Sequence, residues 1–414
     1  MKALVYDVSP FRWVICKVAG AVAQRAYYGA LSGLRLVDRP MPELPGPGWV
    51  RLKTRLGGIC GTDLALITQR QHPATILQAF ASFPAVLGHE NVATIDQVGD
   101  GVDDYRIGQR VCVEPALGCR ARGTDALCRQ CAAGRSSLCE SAAENGFPPR
   151  SLIGLNARTG GSWAEYFVAH HSQLHLVNDS ISDEVAVLLD PIASAAHAVL
   201  RRRPKPGEAI LVCGSGIVAL GIIAAIRALG HDNPITILAR HAFQGELAGA
   251  LGATSILRIP RGAGNAERYD AIADAVGGRR LAGRFGNQAL IGGFDLTFDC
   301  IGTGTSLTDA MKWTRSRGTV VLVGTSGIAL VDTTPLWFNE IQVVGANGRQ
   351  IECDGERPIH TYQLVLEWLR AGRLDLSAIP VARYKLSEYR TALGHLLARG
   401  RHPIVKAVFD PQSS

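Results

Sequence analysis

The sequence predicts an α/β protein of two domains, a β-rich domain followed by a doubly wound parallel sheet. Three observations carry this reading. Residues 1 to about 190 alternate short apolar runs with Gly-Pro punctuation, as at Pro45-Gly46-Pro47-Gly48, which is the texture of strands and turns. From Leu188 onward, buried strands alternate with apolar helices, the rhythm of a parallel sheet. The chain has 414 residues, more than a single hydrophobic core usually serves.

The elements follow in order. Met1-Lys2-Ala3-Leu4-Val5-Tyr6 reads as a strand rather than a signal peptide. Val50-Arg51-Leu52-Lys53 alternates apolar and charged residues, as a half-buried strand does. Ala193 to Leu200 has helical texture, and Arg201 to Gly207 ends it. Ala209-Ile210-Leu211-Val212-Cys213 is a buried strand, followed by a glycine turn and an apolar helix from Ile217 to Leu229. Ile235-Thr236-Ile237-Leu238 is the next strand, with a helix after it through Leu251. Leu296-Thr297-Phe298-Asp299-Cys300 and Val320-Val321-Leu322-Val323-Gly324 are two more strands. The Gly/Arg-rich stretch from Gly277 to Gly293 reads as an inserted loop. The tail carries an amphipathic helix, Tyr362 to Leu369, and a closing strand, Ile404-Val405-Lys406-Ala407-Val408. The expected division is therefore 1–192, 193–347 and 348–414, with the last segment returning to the first domain.

Composition narrows the class. The chain is 47% hydrophobic and 19% charged, an ordinary globular balance. Its net charge is +7, which suits an anionic cofactor or simply reflects an arginine-rich proteome. Arg201-Arg202-Arg203 is too short a basic tract to suggest nucleic acid. No apolar run reaches the roughly 18 residues that cross a bilayer, so no membrane partner is expected. Cytoplasm is the default compartment, and the ten cysteines then read as metal ligands rather than disulfides.

Two ligand sets stand out. Cys128 and Cys131 have two residues between them, with Cys119 upstream and Cys139 downstream. Four thiolates close a tetrahedral zinc shell and leave no position for water. Such a site supplies folding free energy and no chemistry. A zinc-ribbon module for nucleic acid is disfavoured, because no basic and aromatic surface accompanies the cysteines.

The second set is Cys60, in Cys60-Gly61-Thr62-Asp63, and His89, in Gly88-His89-Glu90. Asp190, in Leu188-Leu189-Asp190-Pro191, is the candidate third ligand. One thiolate, one imidazole and one carboxylate leave a fourth zinc position open. Glu90 is an alternative ligand if the site rearranges. Asp63 suits the second-shell role of accepting the other ring N–H of His89. Asp190 before Pro191 also suits a plain helix N-cap.

Gly214-Ser215-Gly216-Ile217-Val218-Ala219 lies between a buried strand and an apolar helix. That context makes it a dinucleotide fingerprint with alanine in the third glycine's place. The helix N-terminus offers N–H donors to a pyrophosphate. The second strand ends Leu238-Ala239-Arg240-His241. The acid that binds the adenosine ribose of NAD is replaced by Ala239. Arg240, with His241, is placed to meet a 2′-phosphate, so NADP is preferred over NAD; a merely solvated Arg240 is the alternative.

These residues together resemble the zinc-dependent alcohol dehydrogenases of the medium-chain dehydrogenase/reductase superfamily. The matching pieces are Gly58-Ile59-Cys60-Gly61-Thr62-Asp63, Leu87-Gly88-His89-Glu90, Gly108-Gln109-Arg110-Val111, the four cysteines, Asp190-Pro191 with His197-Ala198, and Gly214 to Gly221. They run in family order over nearly the whole chain, and Asp-Pro is similar to the threonine and polyol dehydrogenase branch. The resemblance implies a GroES-like β-rich catalytic domain, a Rossmann domain, and an active site where they meet. It implies Cys60, His89 and Asp190 as catalytic zinc ligands and Thr62 as the hydroxyl that relays the substrate proton. It places Cys300, Ile301, Gly324, Thr325 and Asn347 with the cofactor. Homodimers or homotetramers are the implied assembly.

The chain departs from the family in places. Arg120 to Leu127 separates the first two cysteines. Ala65 and Leu66 stand where the branch has a histidine, with His72 a possible replacement. Phe11 to Gly33, Thr68 to Phe83 and Ile259 to Gly293 are extra segments. The expected activity is reversible hydride transfer between an alcohol, secondary or polyol-like, and a nicotinamide cofactor, with zinc acidifying the hydroxyl. The alternatives are an NADPH-dependent enone reductase and a non-catalytic cofactor-binding protein of the same fold.

Overall fold

The structure is a computed structural model that describes residues 1–142, 146–325, 327–398 and 400–413. The chain divides into two compact units. The first comprises Met1–Asp190, Gly348–Leu366 and Pro380–Ser414; the second comprises Pro191–Asn347 and Glu367–Ile379. The tail segment Glu367–Ile379 was expected with the first domain. It joins the second because Trp368 and Leu374 are buried and the Arg373 guanidinium donates to the Ala228 carbonyl.

The first unit is built on a seven-stranded sheet. Its long central strand, Trp49–Gly58, pairs antiparallel with Glu90–Val98 and with Tyr166–His170. Alternation along Trp49–Gly58 buries Val50, Leu52, Thr54 and Leu56 and turns Lys53 and Arg55 outward, as one buried face requires. The closing strand Lys406–Asp410 pairs with Gly57 and Gly58. The last residues of the chain therefore complete the sheet beside the segment that leads into Cys60.

The second unit holds a six-stranded sheet, all parallel. Its spatial order is Ser255–Leu257, Ile235–Leu238, Ile210–Cys213, Phe294–Asp299, Thr314–Leu322, Gln342–Gly345. Numbered along the chain within this sheet, that is 3-2-1-4-5-6, the doubly wound order with its switch point beside the first strand. Ile210–Cys213 and the helix Ile217–Ala228 are buried almost throughout, so the helix has no polar face and packs inside the unit.

The extra segments are structured. Residues Pro10–Val22 form a helix N-capped by Ser9. Asn265–Val276 is a second helix, ended by Gly277 in the left-handed conformation. The stretch expected to be a loop, Gly277 to Gly293, is an antiparallel hairpin pairing Arg279–Ala282 with Gln288–Ile291. Its glycines and arginines mask a short alternation that buries Gln288 and Leu290.

Candidate active site

The strand Trp49–Gly58 runs into the helix Gly61–Ile67, whose N-cap is Cys60. The Cys60 N–H donates to Asp63 Oδ2 at 2.9 Å, which satisfies one orphan donor of the helix start. This turn fixes the thiol at the end of the strand. Thr62 Oγ1 lies 3.7 Å from Cys60 Sγ. Across the sheet, Gly58 pairs with Glu90. A Cβ at Gly58 would come within 2.4 Å of Glu90 Oε2, so only glycine admits that carboxylate here.

Cys60, His89 and Glu90 converge, with their ligand atoms all within 4.8 Å of one another. Asp63 is fully buried, and its Oδ1 is 3.5 Å from His89 Nδ1, which orients the ring and leaves Nε2 for a metal. Burial works against charging His89, but the neighbouring Asp63 and Cys60 outweigh it and hold the imidazole well above its ordinary value. A thiolate, an imidazole and a carboxylate with a buried orienting acid fit zinc.

Asp190 is not part of this group. It sits in the first turn of the helix Leu189–Arg201. Its Oδ1 accepts from Tyr362 Oη at 2.6 Å, and its Oδ2 accepts from the Arg349 guanidinium. The reason is charge: Arg349 is buried among acceptors, and Asp190 and Glu114 hold its charge against the cost of burial. Among the described residues it is Glu90, and not the expected Asp190, whose carboxylate gathers with Cys60 and His89. Glu90 in turn meets the Lys406 ammonium. Lys406, Arg349, Tyr362 and Glu114 were not singled out from sequence. Lys406 and Arg349 lie 316 and 159 residues from their partners, so no local spacing marks them. His72 is exposed, and its ring accepts from the Ala74 N–H at 3.1 Å; it does not join the group.

Cys119, Cys128, Cys131 and Cys139 also come within 4.8 Å of one another. Backbone N–H groups of Cys119, Cys128, Cys131 and Glu140 point at the sulfurs at 3.3–3.4 Å, as they do around bound thiolates. The long spacing after Cys119 is accommodated by Arg122. Its buried guanidinium donates to the carbonyls of Leu117, Ala142, Phe147 and Pro148, folding the extra residues back on themselves. This lobe touches the Asp190 network: Ser136 donates to Glu114 at 3.2 Å, and Gln350 donates to Ser137 at 3.3 Å.

In the second unit, Gly214 adopts φ +104, a value that favours glycine. A Cβ there would also press on Ile301 at 3.2 Å. Gly216 caps the helix Ile217–Ala228, so the N–H groups of Ile217 and Val218 head a helix N-terminus. Ser215 donates to Gln244 at 2.8 Å and receives the Arg240 N–H at 3.3 Å, tying the glycine turn to the end of the second strand. Ala239 is buried and Arg240 exposed; the His241 ring stacks on Phe243. Asp299 Oδ1 accepts the N–H groups of Ile301 and Gly302, shaping the turn after Cys300. Gly324 packs against that turn, where a Cβ would lie 2.4 Å from Gly302 N. Thr325 and Asn347 are exposed in the same unit.

Comparison with known proteins shows the family. Residues 46–179 match the alcohol dehydrogenase GroES-like domain, and residues 218–370 match the zinc-binding dehydrogenase domain. L-threonine 3-dehydrogenase of Cutibacterium acnes is 30% identical over 366 residues, covering 87% of this chain and 91% of that protein. L-idonate 5-dehydrogenase of Vitis vinifera is 27% identical and covers 90% of each. The crystal structure of 2R,3R-butanediol dehydrogenase from Bacillus subtilis superposes with a TM-score of 0.69 at 25% identity, over 92% of this chain and 96% of that one. The chain belongs to the zinc-dependent alcohol dehydrogenase family of the medium-chain dehydrogenase/reductase superfamily, in its threonine and polyol dehydrogenase branch. It is an oxidoreductase that transfers hydride between an alcohol or its carbonyl product and a nicotinamide cofactor.

Proposed function

We propose that Cys60, His89 and Glu90 hold the catalytic zinc, that the four-cysteine lobe holds a structural zinc, and that the enzyme oxidises a secondary or polyol-like alcohol with NADP. The observation that carries the reading is the convergence of thiol, imidazole and carboxylate beside the Thr62 hydroxyl. Zinc bound there supplies Lewis acidity that favours loss of the alcohol proton. Thr62, whose hydroxyl lies 3.7 Å from Cys60 Sγ, takes that proton on its way to solvent. Asp63 keeps His89 in one orientation. Asp190, with its two oxygens bonded to Arg349 and Tyr362, is left out of the proposed ligand set.

The preference for NADP rests on Ala239 and the exposed Arg240 at the end of the second strand, where an acid would favour NAD. The product of the reaction is a ketone or aldehyde. Clustered thiols suit a reducing compartment, so the enzyme is placed in the cytoplasm, as a homodimer or homotetramer by likeness to its family.

The test is zinc content together with a panel of secondary alcohols and vicinal diols, followed at the absorbance of the reduced cofactor. Two zinc ions per chain and turnover with NADP are expected. Cys60→Ser is expected to lose one zinc and all turnover while keeping its far-UV circular dichroism. Full activity in that variant after metal removal would refute the reading.

A further inference from the structure

The helix Pro10–Val22 is amphipathic the wrong way round for a buried element. Residues at helical spacing, Phe11, Val14, Ile15, Val18 and Val22, form one stripe. That stripe faces outward: Phe11 is 76% exposed, Val18 67% and Val22 91%. The opposite face is clamped down. Cys16 is buried, with its Sγ donating to the Ala26 carbonyl at 3.4 Å. Gly20 lies so near the Tyr27 ring that a Cβ would come within 2.2 Å of it. Lys17 Nζ donates to the Gln69 carbonyl at 2.6 Å, and Gln69 Nε2 donates to the Trp13 carbonyl at 3.1 Å. The apolar stripe is therefore not a face waiting to fold onto its own unit.

Charge says what covers it. Between Asp7 and Asp38 the chain carries Arg12, Lys17, Arg25 and Arg35 and no carboxylate. The second extra segment, to which Gln69 belongs, lies in a stretch between Asp63 and Glu90 that also has no carboxylate, and it exposes Ile76. An apolar stripe flanked by cations suits the headgroup layer of an anionic bilayer. A second copy of the chain fits less well. Thirteen residues make a strip about 20 Å long and about 10 Å wide, roughly 200 Å² against the roughly 800 Å² per partner of a stable interface.

We propose that Pro10–Val22 docks this enzyme on the surface of anionic lipid bilayers, with Phe11, Val14, Ile15, Val18 and Val22 entering the headgroup boundary and Arg12 and Arg25 meeting the lipid charges. No helix among the described residues is long and apolar enough to span a membrane. The expectation of no membrane partner rested on such a span, which surface binding does not need.

The test is co-sedimentation of the full-length, zinc-loaded protein with vesicles of phosphatidylcholine alone or mixed equally with phosphatidylglycerol. Binding to the mixed vesicles is expected, at least about tenfold weaker to the neutral ones and weakened by salt. Val14→Ser with Val18→Ser is expected to lower that binding at least about tenfold, with alcohol turnover in buffer and circular dichroism unchanged. Arg12→Glu with Arg25→Glu is expected to abolish the preference for the anionic vesicles. No sedimentation with either vesicle, or undiminished binding by the serine variant, would overturn the proposal. So would light scattering that shows the serine substitutions splitting an oligomer, which would assign the stripe to a second copy.

Discussion

Lys406 and Glu90 form an ion pair in which each side chain is only 1% exposed. The lysine comes from the closing strand of the chain and the glutamate from the strand beside Cys60, so the pair ties the end of the sequence to the candidate metal centre. Removing one member of such a pair strands a buried charge, whereas removing both can be nearly neutral.

The first prediction follows from that asymmetry. In the metal-free protein, Lys406→Met is expected to lower unfolding free energy by about 3 kcal/mol, read from urea denaturation. Adding Glu90→Gln is expected to restore more than half of the loss in that metal-free state, because the stranded charge is gone. Additive losses in the double variant would show that the two side chains do not interact.

Glu114 gives a pH signature. Burial is the main cause of its carboxyl being pushed up to about 7, against the opposing pull of Arg349. A carboxyl raised in the folded state binds its proton more tightly there than in the unfolded chain. Its contribution is complete below the unfolded value and is lost as pH rises through about 7, a change of about 3 kcal/mol. Glu114→Gln cannot ionise, so its melting temperature is expected to rise relative to the parent as pH moves from mildly acid to mildly alkaline. A difference between the two proteins that stays constant with pH would mean that Glu114 does not titrate in that window.

Arg122 fills the four-cysteine lobe with a cation bonded to carbonyls. Arg122→Met would leave those acceptors buried and unpaired, at roughly 1–3 kcal/mol each. The expected outcome is release of one zinc per chain to a chelator under conditions that the parent survives, with the second zinc retained. Equal retention of both ions would show that the thiolates alone hold the lobe.

The proposed preference for NADP assigns Arg240 to the 2′-phosphate. Ala239→Asp with Arg240→Ser is expected to shift the ratio of kcat/KM for NADP over NAD by at least about tenfold toward NAD, about 1.4 kcal/mol. An unchanged ratio would remove Arg240 from 2′-phosphate recognition.

Much of this architecture is legible in the residues, for reasons that can be named. Ile235–Leu238 is a short apolar run between turns, and it is a strand over those same residues. The glycine turn is readable because its flanks are a buried strand and a helix with no polar face. The four cysteines are readable because thiolates at close spacing have few other uses. What is hidden is what distant chain segments supply. Asp190 reads as a ligand candidate, and the sequence gives no sign that Arg349 and Tyr362 bond its two oxygens. The helix Pro10–Val22 is hidden differently: its apolar spacing is plain, but which face is buried depends on Gln69 and Tyr27. The hairpin at Arg279–Ile291 is masked by its glycines and arginines.

The first unit is assembled from three separated stretches, and the second interrupts it. During synthesis on a ribosome, the Cys60 region emerges early and must wait for residue 406 before Glu90 has its counter-ion. The second unit, Pro191–Asn347, needs only Glu367–Ile379 to complete it and can organise before residue 406 is made. A nascent chain stalled before its last ten residues would thus expose an unfinished sheet edge and an uncompensated acid, the state in which a chaperone would be needed most.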